Sequence, residues 1–301
     1  MQSNQLQAFV SVAKYGSFSR ASEQLFLTQS AISKRIAALE IALKCKLFDR
    51  VGHHIVLTEA GNQLLPRAQD LLHRMADCQR TISNLSGKVG GKLSLGTSHH
   101  IGIHHLPAIL KKYTQAYPEV ELDLHFMESE LICNAVSQGE IELGIATLPS
   151  TPTENLVLTE IWNDPLIFVC GAEHPLGKSD SISIEQLAKY PAILPPQEST
   201  TYKILHTLFT ENQLKLNTRI ATNNLETIKM MVSINLGWSL LPTTMHSELL
   251  TKLVVNKIKL MRKLGIINHR ERSLSNASST LIAQICADNR GHFTHNGAVN
   301  R

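Results

Sequence analysis

Between Thr58 and Leu85 the apolar residues Leu64, Ala68, Leu71, Met75, Cys78, Ile82 and Leu85 alternate by four and three positions. That is the spacing of a narrow a/d seam on one long helix, and Arg67, Asp70, Arg74, Asp77 and Arg80 surround it. A helix lying on its own domain's core shows a broader apolar face, so the seam predicts a partner helix and hence a dimer. Thr58 is the expected N-cap, and Pro66 removes one backbone hydrogen bond and predicts a kink in the second turn. Ser86-Gly87-Lys88-Val89-Gly90-Gly91 then breaks the pattern with three glycines, the mark of a flexible joint. The 301-residue chain is thereby divided into a head (1–58), a linker helix and hinge (59–88) and a larger C-terminal domain (89–301).

Charge follows the same division. Residues 1–88 carry eleven Lys or Arg against six Asp or Glu, whereas the remainder carries eighteen against nineteen. A basic head on a near-neutral body points to a polyanion contact confined to the head. No run of about eighteen apolar residues and no basic-then-apolar leader is seen, so the expectation is a cytoplasmic protein with no membrane contact. Cys45, Cys78, Cys133, Cys170 and Cys286 lie far apart with no C-x-x-C, which argues against a disulfide framework or a thiolate zinc site.

Within the head, Leu6, Phe9, Val10 and Ala13 recur at helical spacing and stop at Gly16. Ser19 is the expected cap of a short second helix burying Ala21 and Leu25. Thr28 is the expected cap of a third helix to about Leu43, with Ile32, Ile36 and Leu39 inward. Its other face presents Gln29, Ser30, Ser33 and Lys34, side chains that reach base edges or phosphates. Lys46–Arg50 and Ile55–Leu57 then read as two strands around Val51-Gly52-His53-His54.

In this register the chain resembles the LysR-type transcriptional regulators: Phe9…Gly16-Ser17-Phe18-Ser19…Ala21…Leu25…Thr28-Gln29-Ser30-Ala31-Ile32-Ser33-Lys34-Arg35-Ile36…Leu39-Glu40…Leu47-Phe48…Arg50…Leu57-Thr58-Glu59-Ala60-Gly61. The resemblance implies a winged helix-turn-helix that binds double-stranded DNA through Thr28, Gln29, Ser30, Ser33, Lys34, Arg35, Arg50, His53 and His54. The third helix would lie in the major groove, with Arg50 and the wing on the backbone or minor groove. Lys44 stands where the family pattern has Gly, and His53 and His54 stand where arginine is common. Histidines with a pKa near 6.5 are mostly neutral at physiological pH, which weakens wing contacts. The resemblance also implies a bacterial regulator, a homodimer or homotetramer on a partly palindromic operator, and RNA polymerase as a further partner.

Beyond the joint, Lys92–Gly96, Val120–Met127 and Ile141–Ala146 read as strands, and Ile101–Tyr117 and Leu131–Gln138 as helices. This βαβαβ pattern predicts a parallel sheet with ligands beyond the strands' carboxyl ends. A second set follows, with strands at Leu166–Cys170, Ala192–Leu194 and Trp238–Leu241 and helices at Tyr202–Gln213 and Leu225–Asn235. The resemblance continues through Tyr117-Pro118, Gly139-Glu140-Ile141-Glu142-Leu143-Gly144-Ile145-Ala146, Gly237-Trp238-Ser239-Leu240-Leu241-Pro242 and Arg272-Ser273-Leu274-Ser275. It implies an α/β domain of two lobes, like a periplasmic solute-binding protein, with lobe I at about 92–160 and 266–290 and lobe II at about 161–265. A cleft between them would hold a small effector.

Placed on this chain, the cleft is expected to be lined by Thr97, Ser98, His99, Glu128, Ser129 and Thr147, faced by Gln197, Ser199, Thr200 and Thr201. Hydroxyls and helix N-termini suit a small polar or anionic metabolite, which Glu128 opposes unless it pairs with a ligand amine. His99, His100, His104 and His105 form an unusual cluster, but no carboxylate or thiol lies nearby at ligand spacing. Solvated histidines on an entrance helix explain the cluster, and no metal or required cofactor is expected. G-x-x-x-x-G-K, G-x-G-x-x-G, H-E-x-x-H and G-x-S-x-G are all absent, so nothing marks an enzyme. A solute-binding protein without DNA function would leave the first ninety residues unexplained.

Overall fold

The computed structural model describes residues 1–52, 54–151, 153–255 and 258–295, with the backbone alone for Arg50, Val51, His54 and residues 290–295. His53 of the expected wing lies outside the described residues. The chain forms two compact units, residues 1–87 and 88–301.

In the first unit, α1 (Ser3–Tyr15) ends at Gly16, whose φ of 59° is the left-handed turn that glycine adopts most easily. The next helix, α2 (Phe18–Gln24), is capped by Ser17 and not by Ser19. The turn at Gly16 leaves Ser17 extended, and its hydroxyl accepts the Arg20 N–H at 3.3 Å. Ser19 already lies inside the helix, and its hydroxyl donates to Gln29 Oε1 at 3.4 Å. α3 (Gln29–Leu43) starts at Thr28, which accepts the Ala31 N–H at 3.2 Å. β1 (Phe48–Val51) and β2 (His54–Leu57) pair antiparallel. Phe48 joins the unit's two core clusters, its ring 5.4 Å from Phe9 and 6.1 Å from Phe18. Each large apolar side chain buried there stabilises by about 1.5–3 kcal/mol.

The unit closes around Leu47. Its N–H donates to Glu40 Oε1 at 2.9 Å, tying the end of α3 to the wing. Its carbonyl accepts the Thr58 N–H at 3.0 Å. It also lies so close to Gly61 that an added Cβ would sit 2.3 Å from that oxygen, which leaves glycine as the residue that fits. α4 (Glu59–Asn84) runs as one helix through Pro66, with Thr58 as its cap. The seam on α4 divides. Leu64 and Ala68, with Leu72 beside them, pack onto the unit's own core, whereas Leu71, Met75, Ile82 and Leu85 rise from 41% to 80% exposed toward the helix end.

In the second unit, β3 (Gly91–Thr97) pairs parallel with β4 (Val120–Phe126) and with β5 (Leu143–Thr147). The helix expected over Ile101–Tyr117 is two helices, α5 (His99–His104) and α6 (Pro107–Ala116). Pro107 lacks the N–H needed to continue α5 and serves as the first residue of a new helix. α7 (Ser129–Gln138) stops at Gly139, φ 76°.

The long strand β6 (Leu156–Gly171) leads into lobe II, which contains α8 (Ile184–Ala188), β7 (Ala192–Leu194), α9 (Thr200–Glu211), β8 (Thr218–Ala221), α10 (Leu225–Ser233), β9 (Ser239–Pro242) and β10 (Leu250–Leu253). β11 (Leu260–His269) returns antiparallel to β6 and joins β5, and α11 (Asn276–His295) closes lobe I. Among the described residues the main sheet has seven strands, in the path β10-β6-β11-β5-β3-β4 with β9 on β6.

β6 and β11 belong to both lobes: Ile161 and Leu264 pack in the lobe I core, whereas Leu166 and Phe168 pack in the lobe II core around Trp238 and Phe209. Two of the sequence motifs meet in lobe I, where Glu142 accepts the Ser275 N–H at 2.6 Å and its hydroxyl at 3.2 Å at the start of α11.

Lys44 ends α3 with a φ of 56° and so holds the strained left-handed conformation. Lys44→Gly is expected to stabilise the first unit by about 0.5–1 kcal/mol, the relief of strain exceeding the added freedom of the unfolded glycine. Urea unfolding of the two proteins checks it; an unchanged or lower midpoint would contradict the strain.

Candidate functional site

α3 carries the first candidate surface. Ile32, Ile36 and Leu39 are buried, and this fixes the rotation of the helix so that Thr28, Gln29, Ser30, Ser33 and Lys34 are exposed along one side of its first half. Arg35 is half-buried. The hydroxyls of Thr28 and Ser30 lie 3.0 Å apart, and Ser19 of α2 donates to Gln29. The helix thus presents hydrogen-bonding groups and one exposed lysine in its first half, with no acidic residue among them. Arg50 and His54 occupy β1 and β2 of the adjoining wing.

The second candidate site is a cleft of about 520 Å³ between the lobes. Ser98, His99, Glu128, Ser129 and Thr147 border it from lobe I and Ser199, Thr200 and Thr201 from lobe II. Thr97 is not at the cleft: it is the buried last residue of β3, 1% exposed. Gln197 borders a different cavity, with Tyr202 and His206. The starts of α7, α9 and α10 all reach the cleft, and each has local partners. Ser129 Oγ accepts the Thr147 N–H at 3.2 Å, and Asn224 Oδ1 accepts the Thr227 N–H at 2.9 Å. Among the described residues, hydrogen bonds that cross between the lobes include Glu130 Oε1 accepting the Thr200 N–H at 3.1 Å, Asn223 Nδ2 donating to Glu128 Oε1 at 3.3 Å, and the bond between the Thr244 hydroxyl and His100 Nε2 at 3.4 Å.

The sequence reading missed the floor of this cleft. Asp164 of β6 and Arg262 of β11 are directly paired in the strand register, so their side chains share a face. Arg262 donates to Asp164 Oδ2 from Nε at 2.9 Å and from Nη2 at 2.5 Å, and from Nη1 to Thr201 Oγ1 at 3.0 Å. The pair is almost fully buried. Breaking such a pair by removing one partner costs about 3–5 kcal/mol, because a charge is left buried alone.

The histidine cluster also differs from the solvated helix expected of it. His99 and His104 are exposed, but His100 is buried at the floor and His105 is half-buried against Trp162. Burial first, and then the positive charges of Arg262 and His104, hold His100 down to about 3. Its Nε2 is 4.0 Å from Asp164. Neutral at physiological pH, His100 forms no ion pair there, and Arg262 is the partner that balances Asp164. Among the described residues no group of three or more His, Cys, Asp or Glu is placed to hold a metal ion.

Both parts of the chain match family models. Residues 3–62 match the bacterial regulatory helix-turn-helix proteins of the lysR family, and residues 86–288 match the LysR substrate binding domain. The chain belongs to the LysR family. It is 33% identical over 279 residues to the uncharacterised HTH-type transcriptional regulator YeiE of Escherichia coli, covering 91% of this chain and 93% of that protein. Its fold is that of a full-length OxyR variant from Pseudomonas aeruginosa (TM-score 0.70, 21% identity, 96% and 95% of the two chains). The same holds for full-length CbnR in complex with its target DNA (TM-score 0.64, 17% identity, 96% and 100%). The protein is a LysR-type DNA-binding transcriptional regulator with a winged helix-turn-helix and a two-lobed effector-binding domain.

Burial of neutral His100 makes the effector domain acid-sensitive. Below pH 6.5 the unfolded chain binds a proton that the folded domain refuses until about pH 3, so the unfolded state holds more protons and stability falls as pH drops through this window. His100 alone is expected to remove about 2 kcal/mol between pH 7 and pH 5. His100→Gln should lose less stability than the wild type over the same interval in urea titrations; equal losses would contradict the assignment.

Proposed function

We propose that this LysR-type regulator acts as a homodimer, or as a homotetramer built from two dimers, whose paired heads read two half-sites of a partly palindromic operator. A small polar metabolite held between the lobes would set operator occupancy or transcriptional output. The exposed polar face of α3 carries this reading. In it Gln29, Ser30, Ser33 and Lys34 contact base edges, Thr28 and Arg35 contact phosphates, and Arg50, His53 and His54 serve the wing. The exposed stripe of Leu71, Met75, Ile82 and Leu85 on α4 supports pairing, because a dimer buries it and a monomer leaves it in water.

The effector residues of this reading are Ser98, His99, Glu128, Ser129, Thr147, Ser199, Thr200 and Thr201, which border the cleft. RNA polymerase is the downstream partner, and the chain does its work in the bacterial cytoplasm by binding, with no catalysis. The reading of a solute-binding protein without DNA function has no support from the helix-turn-helix match.

Ser33→Ala and Arg50→Ala separate the two kinds of contact. Ser33→Ala should alter discrimination between operator sequences by about 0.5–1.5 kcal/mol, the value of one hydrogen bond. Arg50→Ala should weaken binding to all sequences and lower the salt slope by about one. Equal losses on every sequence for both variants, measured by titration at several salt concentrations, would contradict the assignment.

A further inference from the structure

The charges around the cleft are mixed in a way that neither a simple anion nor a simple cation satisfies. Glu128, Glu130 and Glu226 border it, and Arg262 is its one lysine or arginine among the described lining residues. Arg262 is already neutralised by Asp164. An anion alone would therefore enter a site of net negative charge.

A cation alone would leave the floor unserved. A guanidinium has five N–H groups, and among the described residues Arg262 makes three hydrogen bonds, so two donors remain. His100, with its side chain 5% exposed, borders the same cleft, and its buried Nδ1 has no hydrogen-bond partner. In the tautomer in which Nε2 accepts from the Thr244 hydroxyl, 3.4 Å away, Nδ1 bears the proton and is a donor lacking an acceptor. The two spare donors of Arg262, together with His100 in that tautomer, call for an acceptor at one end of the site. At the start of α9 the protein itself shows the preference, since the Glu130 carboxylate sits on the Thr200 N–H, beside Thr201 and its bond to Arg262.

Glu128 supplies the opposite demand. It is half-buried, and its described hydrogen bond is the one from Asn223 at 3.3 Å, which leaves most of its lone pairs for a donor.

Building on the cleft reading above, we infer that the effector is a small zwitterion, an amino acid or a close amino-carboxylate, whose carboxylate lies against Arg262, Thr201 and His100 and whose ammonium faces Glu128. Such a molecule brings no net charge into the site and satisfies both ends at once. It also fits the available volume, which lies in the range of metabolite pockets.

The test is calorimetric titration of the full-length protein with three matched probe sets: the proteinogenic L-amino acids, the amines left by their decarboxylation, and the 2-hydroxy acids in which the ammonium is replaced by hydroxyl. The expected result is saturable binding of at least one amino acid, with its amine and its hydroxy acid each at least about tenfold weaker. Glu128→Gln should then weaken the amino acid about tenfold or more while leaving the hydroxy acid unchanged or tighter, at an unaltered melting temperature. Thr201→Val should weaken every probe that binds. A hydroxy acid or an amine as tight as the amino acid, or an amino acid indifferent to Glu128→Gln, overturns the zwitterion and leaves the cleft standing if Thr201→Val still weakens binding. A probe that binds the wild type and Thr201→Val alike overturns the cleft itself. Failure of all three sets to bind overturns the zwitterion.

Discussion

The Asp164–Arg262 ion pair lies where β6 and β11 pass between the lobes, and much of the effector domain is arranged around it. Residues on the lobe I side of the pair pack with Leu95 and Ile145, and residues on the other side pack with Trp238 and Phe209. A bulge between Leu264 and Gly265 sits beside the crossing. There Gly265 is so close to the Thr159 carbonyl that an added Cβ would lie 2.1 Å from the oxygen. Arg262 also holds Thr201 at the start of α9 and, by its charge, helps keep His100 neutral. A single buried pair thus links both crossing strands to one wall of the cleft. A ligand bonded there acts on the element that the two lobes share, which is the physical requirement for a small molecule to bias their arrangement.

In the first unit the corresponding shared element is α4. Its first turns complete the head's core through Leu64, Ala68 and Leu72, and its later turns expose Met75, Ile82 and Leu85. The helix that completes the head's core is therefore also the helix that carries the exposed apolar stripe, so a change in its early turns bears on both. Glu40, Leu47 and Gly61 fix the wing to both α3 and α4.

What the sequence made legible was local. Gly16, Thr28, Thr58 and Gly139 mark helix ends by chemistry that acts within a few residues, and each does so in the structure. The three parallel strands of lobe I were readable from the alternation of strand and helix patterns. Errors came where two local signals competed: Ser17 and Ser19 are both good caps, and only the backbone after Gly16 selects Ser17. Pro107 was absorbed into one long helix because the apolar spacing runs on past it. Asp164 and Arg262 were missed for a different reason, being 98 positions apart and joined only by the pairing of β6 with β11. The strand reading began at Leu166 and covered neither residue, and because β6 also carries Glu160 and β11 also carries Lys263, charge alone does not single out the buried pair. His100 looked like its solvated neighbours because burial of one histidine among four is decided by tertiary packing.

If this regulator reads ordered sites on DNA and its cleft controls the reading, both properties meet in one footprint. The measurement is quantitative footprinting at fixed salt on the genomic fragments that the purified full-length protein selects, run with and without the low-molecular-weight fraction of the cell. Protected, partly two-fold-symmetric half-sites are expected, with a protection pattern that changes when that fraction is added. Protection without sequence preference, or a symmetric footprint that no small molecule alters, would be incompatible with a head that reads sequence under the control of the cleft.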